Sequence, residues 1–264
     1  MPTRVVVNGA LGRMGQEVAR AVLADGDLRF VGAVESSAPQ PYLPVPEYPD
    51  LIPFSSSLGS LIEKTCPDVV VDFTRASAAM EAARIALPLK VNIVTGTTGL
   101  SEADLDEIRG LCDCHGVGAV VAANFSLGAV LLMHLAQIAS RFFANAEIVE
   151  MHHDKKLDAP SGTALMTARM MAEARGARFV YPPTEKEVLA GVRGGEVGGL
   201  AIHSIRMPGV MAAQEVLFGG KGQTLLLRHD ATSRESYMPG VILAVKEVVK
   251  IRTLVVGLDK LMGL

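Results

Sequence analysis

The sequence predicts an α/β protein of two domains, a doubly wound parallel sheet followed by an α+β domain whose sheet is mainly antiparallel. Three observations carry that expectation. Short β-branched runs alternate with helix-like stretches over residues 1–123, three glycines cluster where the first run meets the first helix, and after Asn124 the pattern turns to alternating and glycine-rich runs. A chain of 264 residues, 49% hydrophobic and 20% charged, suffices for one large or two modest cores.

The strands of the first domain are read at "RVVVNGA", "LRFVGAVE", "PDVVVDF", "KVNIVTG" and "GVGAVVAAN". Their unbroken apolar runs suit parallel strands buried on both faces. Helices are expected at Met14–Ala24, Ala76–Ala86 and Ser101–Cys114, the last with a serine cap and with Glu102 and Asp104 in its first turn. The proline-dense segment Ala38–Phe54 is expected as a surface loop, because each proline removes a backbone donor. Beyond it the second domain reads as a helix over Ser126–Phe143, a strand "AEIVEMHH", a helix over Ser161–Arg175, and an antiparallel sheet from "GGLAIHSIRM", "AAQEVLFGG" and "QTLLLRHDA". A closing helical stretch, Glu235–Lys250, is expected to return to the first domain, giving domains of 1–123 with 234–264 and of 124–233.

Composition excludes some functions. A net charge of −3 and a pI near 6.1 provide no broad basic field for nucleic acid or an anionic membrane, so any anion site must be local. The amino-terminal stretch lacks a signal core, and the longest apolar segment, Leu127–Ala139, is too short to span a bilayer. Three cysteines, Cys66, Cys112 and Cys114, fit a reduced, cytoplasmic chain.

The glycine loop "NGALGRMG" sets Gly9, Gly12 and Gly15 between a strand and a helix. A tight turn, close approach of a pyrophosphate and close helix packing each need a missing side chain, and a helix start offers free N–H groups to phosphate. The domain therefore reads as Rossmann-like. Glu35 ends the next strand, where a carboxylate accepts from ribose hydroxyls and repels a ribose phosphate; this favours NAD, while Arg13 leaves NADPH open. "TGTTG" and "AANFS" follow later strands, so Gly96, Thr97, Thr98, Asn124 and Phe125 are candidates for the nicotinamide end of the same crevice.

The segment "HHDKKLDAPSGTA" pairs His152 and His153 with Lys155 and Lys156 just before a helix. Neighbours on a strand point to opposite faces, so the two rings share a pocket only if the strand is ending there. Asp158 or Ser161 caps the helix, Pro160 suits its first turn, and the N–H groups of Ser161, Gly162 and Thr163 form a site for a carboxylate. Lysines and histidines tolerate one another if a dianionic substrate neutralises them, and a histidine titrating near the working pH supplies a proton. The spacing of His152, His153, Asp154 and Asp158 fits no zinc pattern, so no metal is expected. His134, His203 and His229 read as core or interface histidines, and Arg206 and Arg234 as substrate contacts or interface residues.

In this order and at these separations, "NGALGRMG", "VVVDFTR", "TGTTG", "AANFSLG" and "EMHHDKKLDAPSGTA" resemble the 4-hydroxy-tetrahydrodipicolinate reductase family, from the first strand to the final helix. The resemblance implies NADH- or NADPH-dependent reduction of a cyclic unsaturated imine dicarboxylate to tetrahydrodipicolinate in lysine and diaminopimelate biosynthesis. It also implies a nucleotide domain completed by the C-terminal helix, and a middle domain for substrate binding whose sheet assembles a homotetramer. By the same resemblance His152 donates or accepts the proton, Lys156 is a proton donor and carboxylate partner, and His153, Gly162 and Thr163 touch substrate. Gly9, Ala10, Leu11, Gly12, Arg13, Met14, Glu35, Gly96, Thr97, Thr98, Ala122, Ala123, Asn124 and Phe125 match cofactor contacts. Two departures stand out: Ser36 replaces the arginine that often follows the acidic residue, and "DFTRASAAM" lacks the usual proline. The compartment expected is the cytoplasm, or the plastid stroma for a plant chain. The alternatives are another amino-acid or imine dehydrogenase, and a non-catalytic NAD(H)-binding protein.

Overall fold

The computed structural model describes residues 1–44 and 51–264. They form two compact units, Met1–Phe125 with Tyr237–Leu264, and Ser126–Ser236.

In the first unit the strands are β1 (Thr3–Asn8), β2 (Leu28–Val34), β3 (Tyr42–Leu43), β4 (Ile52–Ser55), β5 (Val69–Asp72), β6 (Asn92–Thr95) and β7 (Ala119–Val121). Between them run α1 (Arg13–Ala24), α2 (Leu58–Thr65), α3 (Ala76–Ala86) and α4 (Glu102–His115). The spatial order is β13-β7-β6-β5-β1-β2-β4-β3, where β13 is Leu254–Val256 near the carboxyl end. All pairs are parallel except β3 with β4. Strand order reverses at β1, so a crevice opens beyond the carboxyl ends of β1 and β5. Val5, Val6, Val69, Val70 and Val71 are fully buried, each side chain contributing about 1.5–3 kcal/mol by leaving water.

The segment expected as a loop, Ala38–Phe54, contains β3 and most of β4; its residues 45–50 lie outside the described residues. Two strands form there because Ile52 and Phe54 alternate inward, only 2% and 6% exposed, while Pro53 pairs with Tyr42 at the sheet edge, where a missing donor is tolerated. Helix α2 was not anticipated; Ser57 caps it, accepting from the N–H of Ser60. The closing stretch is a 3-10 turn at Arg234–Tyr237, then α7 (Met238–Val248), which packs against α1 and β6, then β13 and α8 (Asp259–Met262). Strand β13 also went unread, as three residues are too few to show a period.

The second unit comprises α5 (Leu127–Ala139), β8 (Asn145–His152), α6 (Gly162–Arg175), β9 (Gly195–Val197), β10 (Leu200–Arg206), β11 (Ala212–Gly220) and β12 (Gln223–Ala231), with sheet order β12-β11-β8-β10-β9. Helix α5 stops four residues short of Phe143; beyond it the Ser140 hydroxyl donates back to the Gln137 carbonyl. The sheet is mixed rather than wholly antiparallel, since β8 and β10 run parallel. One face is apolar at one end, where Ile148, Ile202 and Val216 lie in register beneath Leu132 and Ala136 of α5 and Ala164 and Ala168 of α6. Two residues further along it turns polar, with Glu150 beside Ser204 and Gln214, then His152 beside Arg206. The other face leaves Ile205, Leu217 and Leu226 exposed at 38%, 43% and 52%.

Candidate active site

At the carboxyl ends of β1, β5 and β6, Asn8, Asp72 and Thr95 stand in register. The Asp72 carboxylate is fully buried and accepts from the Asn8 amide (2.5 Å), the Thr97 hydroxyl (2.9 Å) and the Thr74 hydroxyl (3.0 Å). This network fixes Thr97 and the loops after β5 and β6. Above β1, Gly9 has φ +75°, and the Gly12 N–H donates to the Gly9 carbonyl at 3.0 Å. A Cβ on Gly15 would lie 2.0 Å from that carbonyl oxygen, so the turn and α1 meet in a way only glycine permits. The α1 start leaves first-turn N–H groups without intrahelical acceptors.

A cavity of about 650 Å³ borders this turn, lined by Gly9, Gly12, Glu35, Ser36 and Arg75 among others. Glu35 is tied down at its rim: its carboxylate accepts from the Leu11 N–H (3.3 Å) and from the N–H (3.0 Å) and hydroxyl (3.2 Å) of Ser36. Ala10 and Ala122 are buried, and their N–H groups go to Val34 and Thr95 carbonyls. Phe125 is buried with its ring 5.5 Å from that of Phe73, which in turn closes over Gly96. Arg13, Thr98 and Ala123 are exposed, and Met14 and Asn124 partly so.

In the second unit β8 ends at His152, as a shared pocket for the two histidines requires, and His153 opens the following loop. The His152 Nδ1 lies 2.6 Å from Oε2 of Glu150, two residues back on the same face and fully buried. Arg206 donates to both Glu150 oxygens, Nη1 to Oε2 at 2.9 Å and Nη2 to Oε1 at 2.7 Å. The Ser161 N–H reaches Oε1 at 3.1 Å. One carboxylate thereby joins β8, β10 and the start of α6.

These bonds revise two readings. Of the two expected caps, Asp158 and Ser161, it is Ser161 that caps α6, its buried hydroxyl accepting from the Ala164 N–H at 3.2 Å; its N–H, read as open to a carboxylate, already donates to Glu150, which leaves the O–H as its donor. The Gly162 and Thr163 N–H groups have no protein acceptor among the described residues, and Gly162 is exposed. Arg206, read as a substrate or interface residue, commits Nη1 and Nη2 to Glu150 and Nη2 also to the Asp158 carbonyl at 2.8 Å, while its buried Nε has no partner among the described residues. Lys156 Nζ donates to Asp158 at 2.7 Å, which keeps that carboxyl below its usual range.

Burial pushes the His152 imidazole below its ordinary pKa, overriding the upward pull of Glu150; Lys156 and Arg206 add to the lowering. For Glu150 burial works upward, but Arg206, Ser204 and His152 outweigh it and hold the carboxyl ionised. Glu150 was missed in the sequence, although its i, i+2 spacing from His152 puts both on one face of a strand.

The family sequence models "Dihydrodipicolinate reductase, N-terminus" and "Dihydrodipicolinate reductase, C-terminus" match residues 3–125 and 128–262. The chain belongs to the dihydrodipicolinate reductase family. It is 52% identical to a 4-hydroxy-tetrahydrodipicolinate reductase of Dehalococcoides mccartyi over 100% of this chain and 99% of the relative. With that of Moorella thermoacetica it shares 49% identity over 98% and 97%. Among solved structures it is similar to a dihydrodipicolinate reductase from Paenisporosarcina sp. TG-14, described as dipicolinate-bound, with TM-score 0.89, 40% identity and coverage of 98% and 99%. An amine dehydrogenase from Mycobacterium smegmatis, 16% identical with TM-score 0.68, shares the fold alone. The reductase is thus a pyridine-nucleotide-dependent oxidoreductase, and no helix among the described residues is long and apolar enough to cross a membrane.

Proposed function

We propose that this reductase converts the cyclic unsaturated imine dicarboxylate of diaminopimelate and lysine biosynthesis to tetrahydrodipicolinate. The observation that carries the reading is the Glu150 carboxylate, which holds His152 on one oxygen and the first turn of α6 on the other. A proton carrier and an anion site are thereby fixed to the same group. The N–H groups of Gly162 and Thr163, aided by the helix dipole, take one substrate carboxylate. Lys156 and His153 attend to the substrate from the loop after β8, and Lys156 exchanges Asp158 for a substrate carboxylate. His152, or a water it orients, protonates the reduced ring.

The first unit fits a nicotinamide dinucleotide, because its glycine turn is a cradle that a Cβ would fill. Gly9–Met14 would hold the pyrophosphate, Glu35 the adenosine ribose, and Gly96–Thr98 with Ala122–Phe125 the nicotinamide end. When bound, the nicotinamide supplies the hydride. The tied-down Glu35 carboxylate favours NADH, since a ribose phosphate there meets a fixed negative charge; Glu35→Gln is expected to lower the NADH-to-NADPH ratio of kcat/KM at least about tenfold, a small part of the repulsion between adjacent charges at a protein surface. Steady-state kinetics with both nucleotides check it, and an unchanged ratio removes Glu35 from cofactor selection.

Lys156→Ala is expected to raise KM for the dicarboxylate and lower kcat, each about tenfold or more, through loss of a charge-assisted bond worth roughly 1.5–3 kcal/mol. Normal values for both would contradict its role. A homotetramer in the cytoplasm completes the proposal, with the exposed apolar face at Ile205, Leu217 and Leu226 as the surface that assembles. The activity itself is tested by following oxidation of NADH and NADPH while aldolase supplies the product of pyruvate and aspartate semialdehyde. Oxidation dependent on that product is expected; none with either nucleotide overturns the reading, and turnover of simple amino acids instead favours another dehydrogenase.

A further inference from the structure

The Glu150 network has more ordering power than anion binding requires. Glu150 is fully buried, and a buried carboxylate is costly unless its charge is met and its lone pairs are filled. The two-pronged Arg206 guanidinium would satisfy that need by itself. Yet Oε2 also accepts from His152 at 2.6 Å and Oε1 from the Ser161 N–H at 3.1 Å. We infer that Glu150 is a positioning residue that fixes the His152 tautomer and holds the first turn of α6 against it, while Arg206 is the counter-charge that lets the imidazole release its proton. The inference rests on His152 being the proton carrier.

Because a carboxylate oxygen only accepts, Nδ1 of His152 carries hydrogen in both the neutral and the protonated ring, and the proton comes and goes at Nε2. With Glu150 alone facing it, the imidazolium would be held too firmly to act as an acid. Arg206, from the neighbouring strand and bonded to the same carboxylate, opposes that attraction, together with burial of the ring and the Lys156 ammonium. The other charged group acting on this ring is Lys156, on the following loop; Asp158 pairs with Lys156, and its carbonyl receives Arg206. Both flank the network and neither bonds the ring.

The account assigns opposite signs to two substitutions. Glu150→Gln removes the negative charge and offers an amide that faces either Arg206 or His152 with the wrong group, so the His152 titration should move to lower pH. Arg206→Met makes the imidazolium the only cation bonded to Glu150, so the titration should move to higher pH. A residue that merely supported the fold would not split the direction. Glu150→Asp, which keeps the charge, should restore much of the wild-type titration.

The experiment is imidazole NMR of the nucleotide-loaded enzyme, following His152 through a pH series in wild type and the three variants, alongside pH profiles of kcat. Expected are an Nδ1–H tautomer in the neutral wild-type ring, shifts of opposite sign in E150Q and R206M mirrored in the kcat profile, and a fall in kcat of about 10²-fold for E150Q. A rise in KM for the dicarboxylate should accompany that fall, since a neutral amide holds the Ser161 N–H less firmly than the carboxylate does. An Nε2–H tautomer in the wild type, or shifts of the same sign, overturns the inference, and the wild-type tautomer decides even if a variant fails to fold. His152→Ala separates the two levels: retained turnover there removes the proton carrier itself, whereas lost turnover with the wrong tautomer removes only the role of Glu150.

Discussion

His152→Ala is expected to lower kcat by about 10²–10⁴-fold, the usual contribution of a positioned general acid, while the Kd for NADH stays at its wild-type value. The two readouts separate because His152 belongs to the second unit, whereas the glycine turn, Glu35 and the cavity beside them belong to the first. KM for the dicarboxylate should change little, since the Gly162 and Thr163 N–H groups are held through Ser161 and Glu150 rather than through the ring. Stopped-flow measurement of nucleotide oxidation, with fluorescence titration of NADH, checks all three quantities. Unchanged kcat would end the assignment of His152 as proton carrier.

Gly15→Ala is expected to abolish measurable nucleotide binding and to destabilise the protein by about 3 kcal/mol or more. The added Cβ would lie 2.0 Å from the Gly9 carbonyl oxygen and 2.9 Å from Cα of Ala10. These are backbone atoms of the turn, not ends of flexible side chains, so relief requires moving α1 or the turn. The Gly9 carbonyl also accepts from the Gly12 N–H, and that closure would open. By contrast Gly162→Ala, where a Cβ meets nothing within 4 Å, should leave stability within about 0.5 kcal/mol. Thermal unfolding of both variants with and without NADH tests the contrast; a Gly15→Ala protein that melts and binds normally would contradict it.

Much of the fold was legible because its signals are local. The triplet valines of β1 and β5, the capping box of Ser101 and Asp104, and the exact spans of β11 and β12 follow from runs of fewer than ten residues. The three-residue β13 depends instead on β7, a partner distant in sequence that propensity does not register, and the edge strand β3 is only two residues long. At the site, the histidine pair and the Pro-Ser-Gly-Thr helix start stand out by residue type and spacing. The group that organises them did not. Glu150 looks like one more glutamate in "IVEMHH", and its buried, charge-balanced state depends on Arg206, 56 residues away on a strand that runs parallel to β8. The same dependence takes the Ser161 N–H out of the expected carboxylate site, because it already donates to a buried carboxylate that no local pattern reveals.

The most direct test of the central claim is a crystal structure of the enzyme with NADH and pyridine-2,6-dicarboxylate, a planar analogue of the substrate. The account predicts one carboxylate of the analogue on the N–H groups of Gly162 and Thr163, the second near Lys156 and His153, and the ring within hydrogen-bond reach of Nε2 of His152, with the nicotinamide against its opposite side. An analogue bound away from the start of α6, with NADH seated on the glycine turn, would contradict it.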